Sequence, residues 1–130
     1  MSPSAQDYLD AVWDAVPEGA EPELFAPRRD FLLAHVSSGD SWAMRTWYPV
    51  PGIVESAASN QGFDATFATA LAHKDVGLAL AGAESVGVTL PAAQVAFDNL
   101  QQLMDEGYAG KDCSLIIRNI DPEAPGVPQD

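Results

Sequence analysis

Lys74 is the side chain in this sequence whose setting most suggests chemistry. It is one of two lysines, and it follows Leu71 by three residues and precedes Leu78 by four. That spacing places the three side chains on one face of an α-helix. A cation on an apolar face must extend its ammonium to water, pair with an anion or bind a ligand. Extension to water is the commonest of these, and Asp75 lies about 100° round the helix, so it is not an automatic partner.

The other reactive side chains form no recognisable catalytic or metal-binding set. His35 and His73 fall on separate predicted helices and make no metal-binding pair, so we predict no metal site. Cys113 is the single cysteine, which excludes an intramolecular disulfide and favours a packed structural role. The carboxylates are scattered, so no acid/base pair stands out and no catalytic residue is predicted. The sequence holds no G-x-G-x-x-G turn, so it does not build its own dinucleotide-binding βαβ unit.

An all-α fold is predicted to position these side chains, because no segment shows the alternation of a β-strand. The helix that carries Lys74 is expected from about Asp64 to Ser85, with Phe63 and Phe67 on the Lys74 face. Between residues 37 and 62 the chain is irregular, yet its large aromatic residues favour order. The other predicted helical segments are 5–15, 27–36, a short turn at 40–45, a helix from Pro91 to Gly107, and a short final helix that Asp112 or Ser114 caps.

The amino-acid composition of the chain limits the classes of molecule that it is expected to bind. The chain carries 19 acidic and 6 basic residues, a net charge of −13, with 47% hydrophobic residues. Such a charge disfavours nucleic acids and anionic membranes as partners, and it makes any cation in a binding site more important. A saline habitat is one hypothesis for this acidity. No apolar run approaches a membrane span and no secretory signal is evident, so a cytoplasmic protein is expected.

Five short motifs between residues 37 and 120 follow one another at a recognisable spacing. They are Ser37-Ser38-Gly39 with Ser41-Trp42; Tyr48-Pro49-Val50-Pro51-Gly52; Phe67 with Leu71 and Lys74-Asp75-Val76-Gly77-Leu78-Ala79; Gly87-Val88 with Pro91; and Gly107-Tyr108 with Gly110-Lys111-Asp112-Cys113-Ser114. In order and spacing this run resembles the C-terminal α-helical domain of 3-hydroxyisobutyrate dehydrogenase and its β-hydroxyacid dehydrogenase relatives. The resemblance implies an orthogonal helical bundle over 37–120, preceded by divergent N-terminal helices over 1–36 and followed by a disordered tail, 121–130.

The resemblance also implies roles for individual residues. Lys74 would contact NAD or NADP held by a Rossmann-fold partner, while Trp42 and Phe67 would line the substrate cleft. Asp112 and Ser114 fit a helix cap better than a ligand contact. The family's helical domain also builds a dimer, so a homodimer is a further expected partner, and the substrate would be a small β-hydroxyacid.

One departure from the family pattern leaves the function open. The G-x-x-x-K-x-x-N-N segment that carries the family's catalytic lysine does not occur in this sequence, so the chain is expected to be inactive alone. The leading hypothesis is a domain that contacts NAD(P), closes the cleft and dimerises. The alternative is a stand-alone, non-catalytic helical dimerisation or interaction module. A third hypothesis is a small-molecule binding protein that uses Trp42, Phe67 and Lys74 for an acidic ligand.

Overall fold

The computed structural model describes residues 30–129, and these are helical without strands. The α-helices are α1 (Trp42–Thr46), α2 (Thr69–Ser85) and α3 (Pro91–Asp105), and residues 30–35 are also helical. Two 3-10 helices span Ala58–Gln61 and Cys113–Asn119. The all-α prediction is therefore confirmed. The predicted helix 5–15 and the start of the helix 27–36 lie outside the described residues.

α2 and α3 form a helical hairpin that is the largest packed unit. The turn between them uses Gly87, whose φ of 72° is readily adopted by glycine. Pro91 begins α3, where its missing N–H costs no helical hydrogen bond. The two helices approach closely at Gly77, because a Cβ atom there would lie 3.1 Å from Cε2 of Phe97. The small residue on α2 thus allows an aromatic residue on α3 to pack against its backbone.

The hydrophobic core lies at the other end of this hairpin. Phe63, Leu103 and Leu115 are fully buried and come from the segment before α2, from α3 and from the second 3-10 helix. Burying each such side chain contributes about 1.5–3 kcal/mol. The three side chains therefore join three parts of the chain that are far apart in sequence.

The start of α2 differs from the prediction. The helix begins at Thr69, not at Asp64, and the preceding backbone has positive φ angles at Gly62 and Phe63, 62° and 56°. Residues 64 and 68 instead form isolated antiparallel bridges with residues 111 and 112. The prediction that Phe63 and Phe67 share the helical face of Lys74 is therefore wrong. The spacing of Phe63 and Phe67 fits a helix, but the backbone around them pairs with the distant residues 111 and 112 instead.

The C-terminal tail also differs from the prediction. Ala124 and Val127 are buried, and the guanidinium of Arg118 donates a hydrogen bond to the carbonyl of Pro128. The expected disorder rested on the proline-rich, acidic composition of this segment. Ala124 and Val127 give this segment an apolar side that is buried.

Candidate functional site

Three aromatic side chains form an aromatic ladder, which consists of Trp42, Trp47 and Phe67. The rings of Trp42 and Trp47 meet edge to face with centroids 5.0 Å apart, and Trp47 stacks on Phe67 at 5.8 Å. Both arrangements are favourable for aromatic pairs. Trp42 is 59% exposed, so the ladder opens to solvent at that end. The two predicted cleft residues, Trp42 and Phe67, thus belong to one surface, although Trp47 lies between them.

Local hydrogen bonds fix the ladder. The Ser41 hydroxyl caps α1 by accepting from the backbone N–H of Met44 at 3.1 Å, which sets the helix that carries Trp42. The backbone N–H of Trp47 donates to the carbonyl of Ala43 at 2.7 Å, and its indole Nε1–H donates to the hydroxyl of Thr66 at 3.2 Å. The pairing of Trp47 with Phe67 was not predicted from the sequence. The size of the aromatic side chains was a signal for order in this segment, but not for the partner.

Asp112 is a buried clamp on the backbone that carries Phe67. Its Oδ2 accepts hydrogen bonds from the backbone N–H and the hydroxyl of Thr66, each at 2.8 Å, and from the N–H of Phe67 at 2.9 Å. Its Oδ1 accepts from the N–H and the hydroxyl of Ser114, at 3.1 and 2.7 Å. Asp112 therefore caps the second 3-10 helix, as the sequence indicated, and also fixes the backbone that carries Phe67.

The surroundings of the clamp shift the pKa of Asp112 itself and that of the adjacent Cys113. Burial alone would raise the pKa of Asp112, but the hydrogen bonds from Phe67, Ser114 and Thr66 outweigh it and lower the pKa. Burial and the adjacent Asp112 carboxylate raise the pKa of Cys113 to about 11. The thiol is therefore protonated at neutral pH, which agrees with a packed structural cysteine.

Lys74 lies on an exposed face of α2, and its ion-pair partner is Asp75 rather than a residue of the ladder. Its side chain is 58% exposed, and its Nζ is 2.6 Å from Oδ1 of Asp75. The helical spacing gave no reason to expect Asp75 as the partner of Lys74, yet Asp75 is the residue that forms the ion pair. Leu71 and Leu78, on the same face, are also exposed, so this face is not the core-facing one. An exposed ion pair contributes about 0–1 kcal/mol, which leaves the ammonium free to exchange Asp75 for another anion.

An apolar groove of about 880 Å³ lies elsewhere, between the second half of α2 and the start of α3. Leu80, Val88, Leu90 and Val95 are among its lining residues. None of Lys74, Trp42 and Phe67 lines it. The groove is therefore a separate surface from the predicted site.

Residues 30–129 show no grouping of three or more His, Cys, Asp or Glu side chains able to hold a metal ion. His35 instead contacts Phe31 and Asp40, and His73 stacks on Phe97 with centroids 4.0 Å apart. Within the same range, no helix has both the length and the apolar character needed to cross a membrane.

The chain is similar in sequence to known dehydrogenases. Residues 27–120 match the family described as the NAD-binding region of NADP-dependent 3-hydroxyisobutyrate dehydrogenase. The chain is 33% identical over 86 residues to an NAD-dependent L-serine dehydrogenase of Pseudomonas aeruginosa, covering 66% of this chain and 29% of that protein. It is 33% identical over 102 residues to the mitochondrial 3-hydroxyisobutyrate dehydrogenase of Drosophila melanogaster, covering 78% of this chain and 30% of that protein.

A solved structure is also similar. The structure of Mycobacterium tuberculosis 3-hydroxyisobutyrate dehydrogenase with L-serine superposes with a TM-score of 0.67 at 30% identity, over 85% of this chain and 36% of that chain. The chain thus spans roughly a third of the length of the relatives it matches. The likeness supports the helical fold and the NAD-binding character of the matched region.

Proposed function

The chain belongs to the 3-hydroxyisobutyrate dehydrogenase family, and from that premise we propose that it is the helical domain that closes over an NAD or NADP molecule held by a Rossmann-fold partner. The Rossmann domain would be supplied by another chain or by a further part of the same protein. The complete enzyme would transfer a hydride between the nicotinamide and the carbinol carbon of a small β-hydroxyacid. No residue of this chain is assigned to polarise the substrate carbonyl, so we expect the chain alone to be inactive.

The observation that carries the proposal is the accessibility of the Lys74 ammonium within the matched region. In a chain of net charge −13, an anionic cofactor is repelled at long range, so a local cation is needed to hold it. The exposed Nζ of Lys74 fits an anionic group of the cofactor through a charge-assisted hydrogen bond. Asp75 would then release the ammonium or share it.

We assign the aromatic ladder to the substrate side of the cleft. Trp42 and Phe67 present flat apolar surfaces that would exclude water from the nicotinamide, and the Thr66 hydroxyl orients the indole of Trp47 between them. Because the Asp112 clamp fixes the backbone of Phe67, this surface is formed before ligand binds.

The test is a fluorescence titration of NADH and NADPH with the complete chain and three variants. Lys74→Ala should weaken binding by about tenfold or more, because a hydrogen bond to a charged group contributes about 1.5–3 kcal/mol. Lys74→Arg keeps the charge and should retain most of the affinity. Asp75→Asn removes the competing carboxylate and should strengthen binding. Saturable binding that is unchanged in Lys74→Ala would contradict the assignment of this residue.

A titration in which no cofactor binds leads to a different conclusion. If the chain binds no cofactor even when a Rossmann-domain partner is added, the proposed cofactor contact is wrong. The dimerisation module would then be the better account.

The exposed apolar residues around the groove favour that second candidate function. Val95 is 62% exposed and Val88 is 52% exposed, although both are large hydrophobic side chains that line the groove. Exposed apolar patches of this kind often mark protein interfaces. Analytical ultracentrifugation of the complete chain beside Val95→Asp tests it. A dimer that the substitution dissociates supports the module, whereas a monomer at all concentrations argues against it.

A further inference from the structure

The C-terminal segment 121–129 contacts the domain through Gly126, which faces Pro51, and through the carbonyl of Pro128, which accepts a hydrogen bond from Arg118. We propose that it is a strap that fixes the loop 47–52 and thereby positions Trp47 against Phe67. The strap lies beyond residue 120, where the match to the family ends. This role of the strap is separate from cofactor binding, and it can be tested without cofactor or substrate.

Arg118 anchors the end of the strap. Its side chain is only 14% exposed, and its Nε lies 2.9 Å from Oε2 of Glu106, just after α3. The same guanidinium lies over the ring of Tyr108, 5.1 Å from the centroid, and donates from Nη1 to the carbonyl of Pro128. A planar, multidentate cation is suited to such simultaneous contacts. Arg118 thus joins the end of the strap to the region that follows α3.

Within the strap, backbone hydrogen bonds fold the chain into turns. The N–H of Ala124 donates to the carbonyl of Asp121 and that of Val127 donates to Ala124, each at 3.1 Å. The side chain of Gln129 donates to the carbonyl of Pro122 at 2.8 Å, which brings the two ends of the segment together. Because Ala124 and Val127 are also buried, the strap is a folded turn with its apolar side against the domain.

Gly126 is the point at which the strap meets the loop. Its φ is 77°, and a Cβ atom at this position would lie 2.6 Å from Cγ of Pro51. Two non-bonded carbon atoms do not approach so closely, so any other residue here must displace the proline or the strap. A proline ring is not a flexible side chain that turns aside, so the displacement would pass to the loop backbone.

The loop transmits this contact to the ladder. On its other side it is held by the first 3-10 helix: the hydroxyl of Ser59 donates to the carbonyl of Tyr48 at 2.9 Å, and the N–H of Gly52 donates to Oδ1 of Asn60 at 2.6 Å. Trp47 begins the loop and stacks on Phe67. The loop is thus fixed from two sides, and the strap supplies one of them.

Two substitutions in the complete chain test the strap from its two contacts. Gly126→Val inserts a side chain toward Pro51, and Arg118→Gln removes the guanidinium. For both we expect the Trp47 indole N–H, which donates to Thr66, and the Gly52 amide, which donates to Asn60, to exchange with solvent at least about tenfold faster by NMR, while the amides of α3 keep their protection. Gly82→Ala is the matched control, because a Cβ there meets nothing within 4 Å.

Two results would overturn the proposal. Unchanged exchange at Trp47 and at the loop in both variants would mean that the strap does not hold the loop. Equal loss of protection in α3 and in the loop would mean that the segment is a general part of the core. If Gly126→Val does not fold, Gly126→Ala applies the same contact with a smaller side chain.

Discussion

At the scale of single residues, Asp112 shows how one carboxylate can join distant parts of a chain. Its lowered pKa means that its contribution to stability is complete above the unfolded-state pKa of about 3.9 and is lost as the pH falls through the lower folded-state value. Asp112→Asn should reduce the free energy of unfolding by about 3 kcal/mol at pH 7, because charged hydrogen bonds are replaced and an amide donor faces other donors. The difference from the parent chain should shrink below about pH 4.

Urea unfolding between pH 2.5 and 7 measures this effect. Asp98→Asn is the control, because Asp98 is exposed and accepts its hydrogen bond from Gln94 four residues away on α3. The control should lose less than about 0.5 kcal/mol. A stability difference for Asp112→Asn that is constant over this pH range would contradict the role of the ionised clamp.

Cys113 allows a second prediction at this scale. With its pKa raised to about 11, only a small fraction of the thiol is ionised at pH 8. Alkylation by iodoacetamide should therefore be about a hundredfold slower in the folded chain than in the unfolded chain. Equal rates in native buffer and in urea would show that the thiol is ordinary and accessible.

Single-residue predictions from the sequence succeeded where the decisive neighbours were close in sequence. The cap formed by Asp112 involves Ser114, two residues away, and was predicted. The stacking of Trp47 on Phe67 was not predicted, because the two residues lie in different irregular segments that are 20 residues apart in sequence. The Lys74–Asp75 ion pair was set aside because adjacent residues point in different directions, but two flexible side chains on an exposed face can bend toward each other.

At the scale of elements, two glycines in α2 give a matched pair of substitutions. Gly82→Ala should stabilise the chain by about 0.5–1 kcal/mol, because alanine favours the helix and the new Cβ meets no neighbour. Gly77→Ala gains the same helix propensity but places Cβ 3.1 Å from Cε2 of Phe97, so its gain should be smaller or negative. Thermal unfolding of both variants measures the difference, and equal stabilisation would contradict the close approach of α2 and α3.

Element boundaries could be predicted only where local signals set them. Pro91 and Gly107 mark the ends of α3 in the sequence, and the structure places the helix at Pro91–Asp105. The start of α2 could not be predicted in the same way. The backbone before Thr69 is held by Asp112 and by bridges to residues 111 and 112, and no local pattern records that pairing.

At the scale of the whole molecule, the net charge of −13 should make stability depend on salt. Self-repulsion between exposed carboxylates is screened as the Debye length falls from about 10 Å at 0.1 M to about 3 Å at 1 M. We therefore expect the melting temperature to rise by several degrees between these concentrations of NaCl. A melting temperature that does not change would also remove the hypothesis that the acidity is an adaptation to saline conditions.

The clamp has a consequence for the order of folding. Asp112 bonds to Thr66 across 46 residues, and the whole α2–α3 hairpin lies within the loop so closed. Local contacts of a helical hairpin form faster than contacts that close long loops. The hairpin should thus be formed in the rate-limiting transition state, whereas the hydrogen bonds from Thr66 and Phe67 to the Asp112 carboxylate should form later. Asp112→Asn should then leave the refolding rate almost unchanged and speed unfolding, so that the clamp determines how long the folded domain lasts.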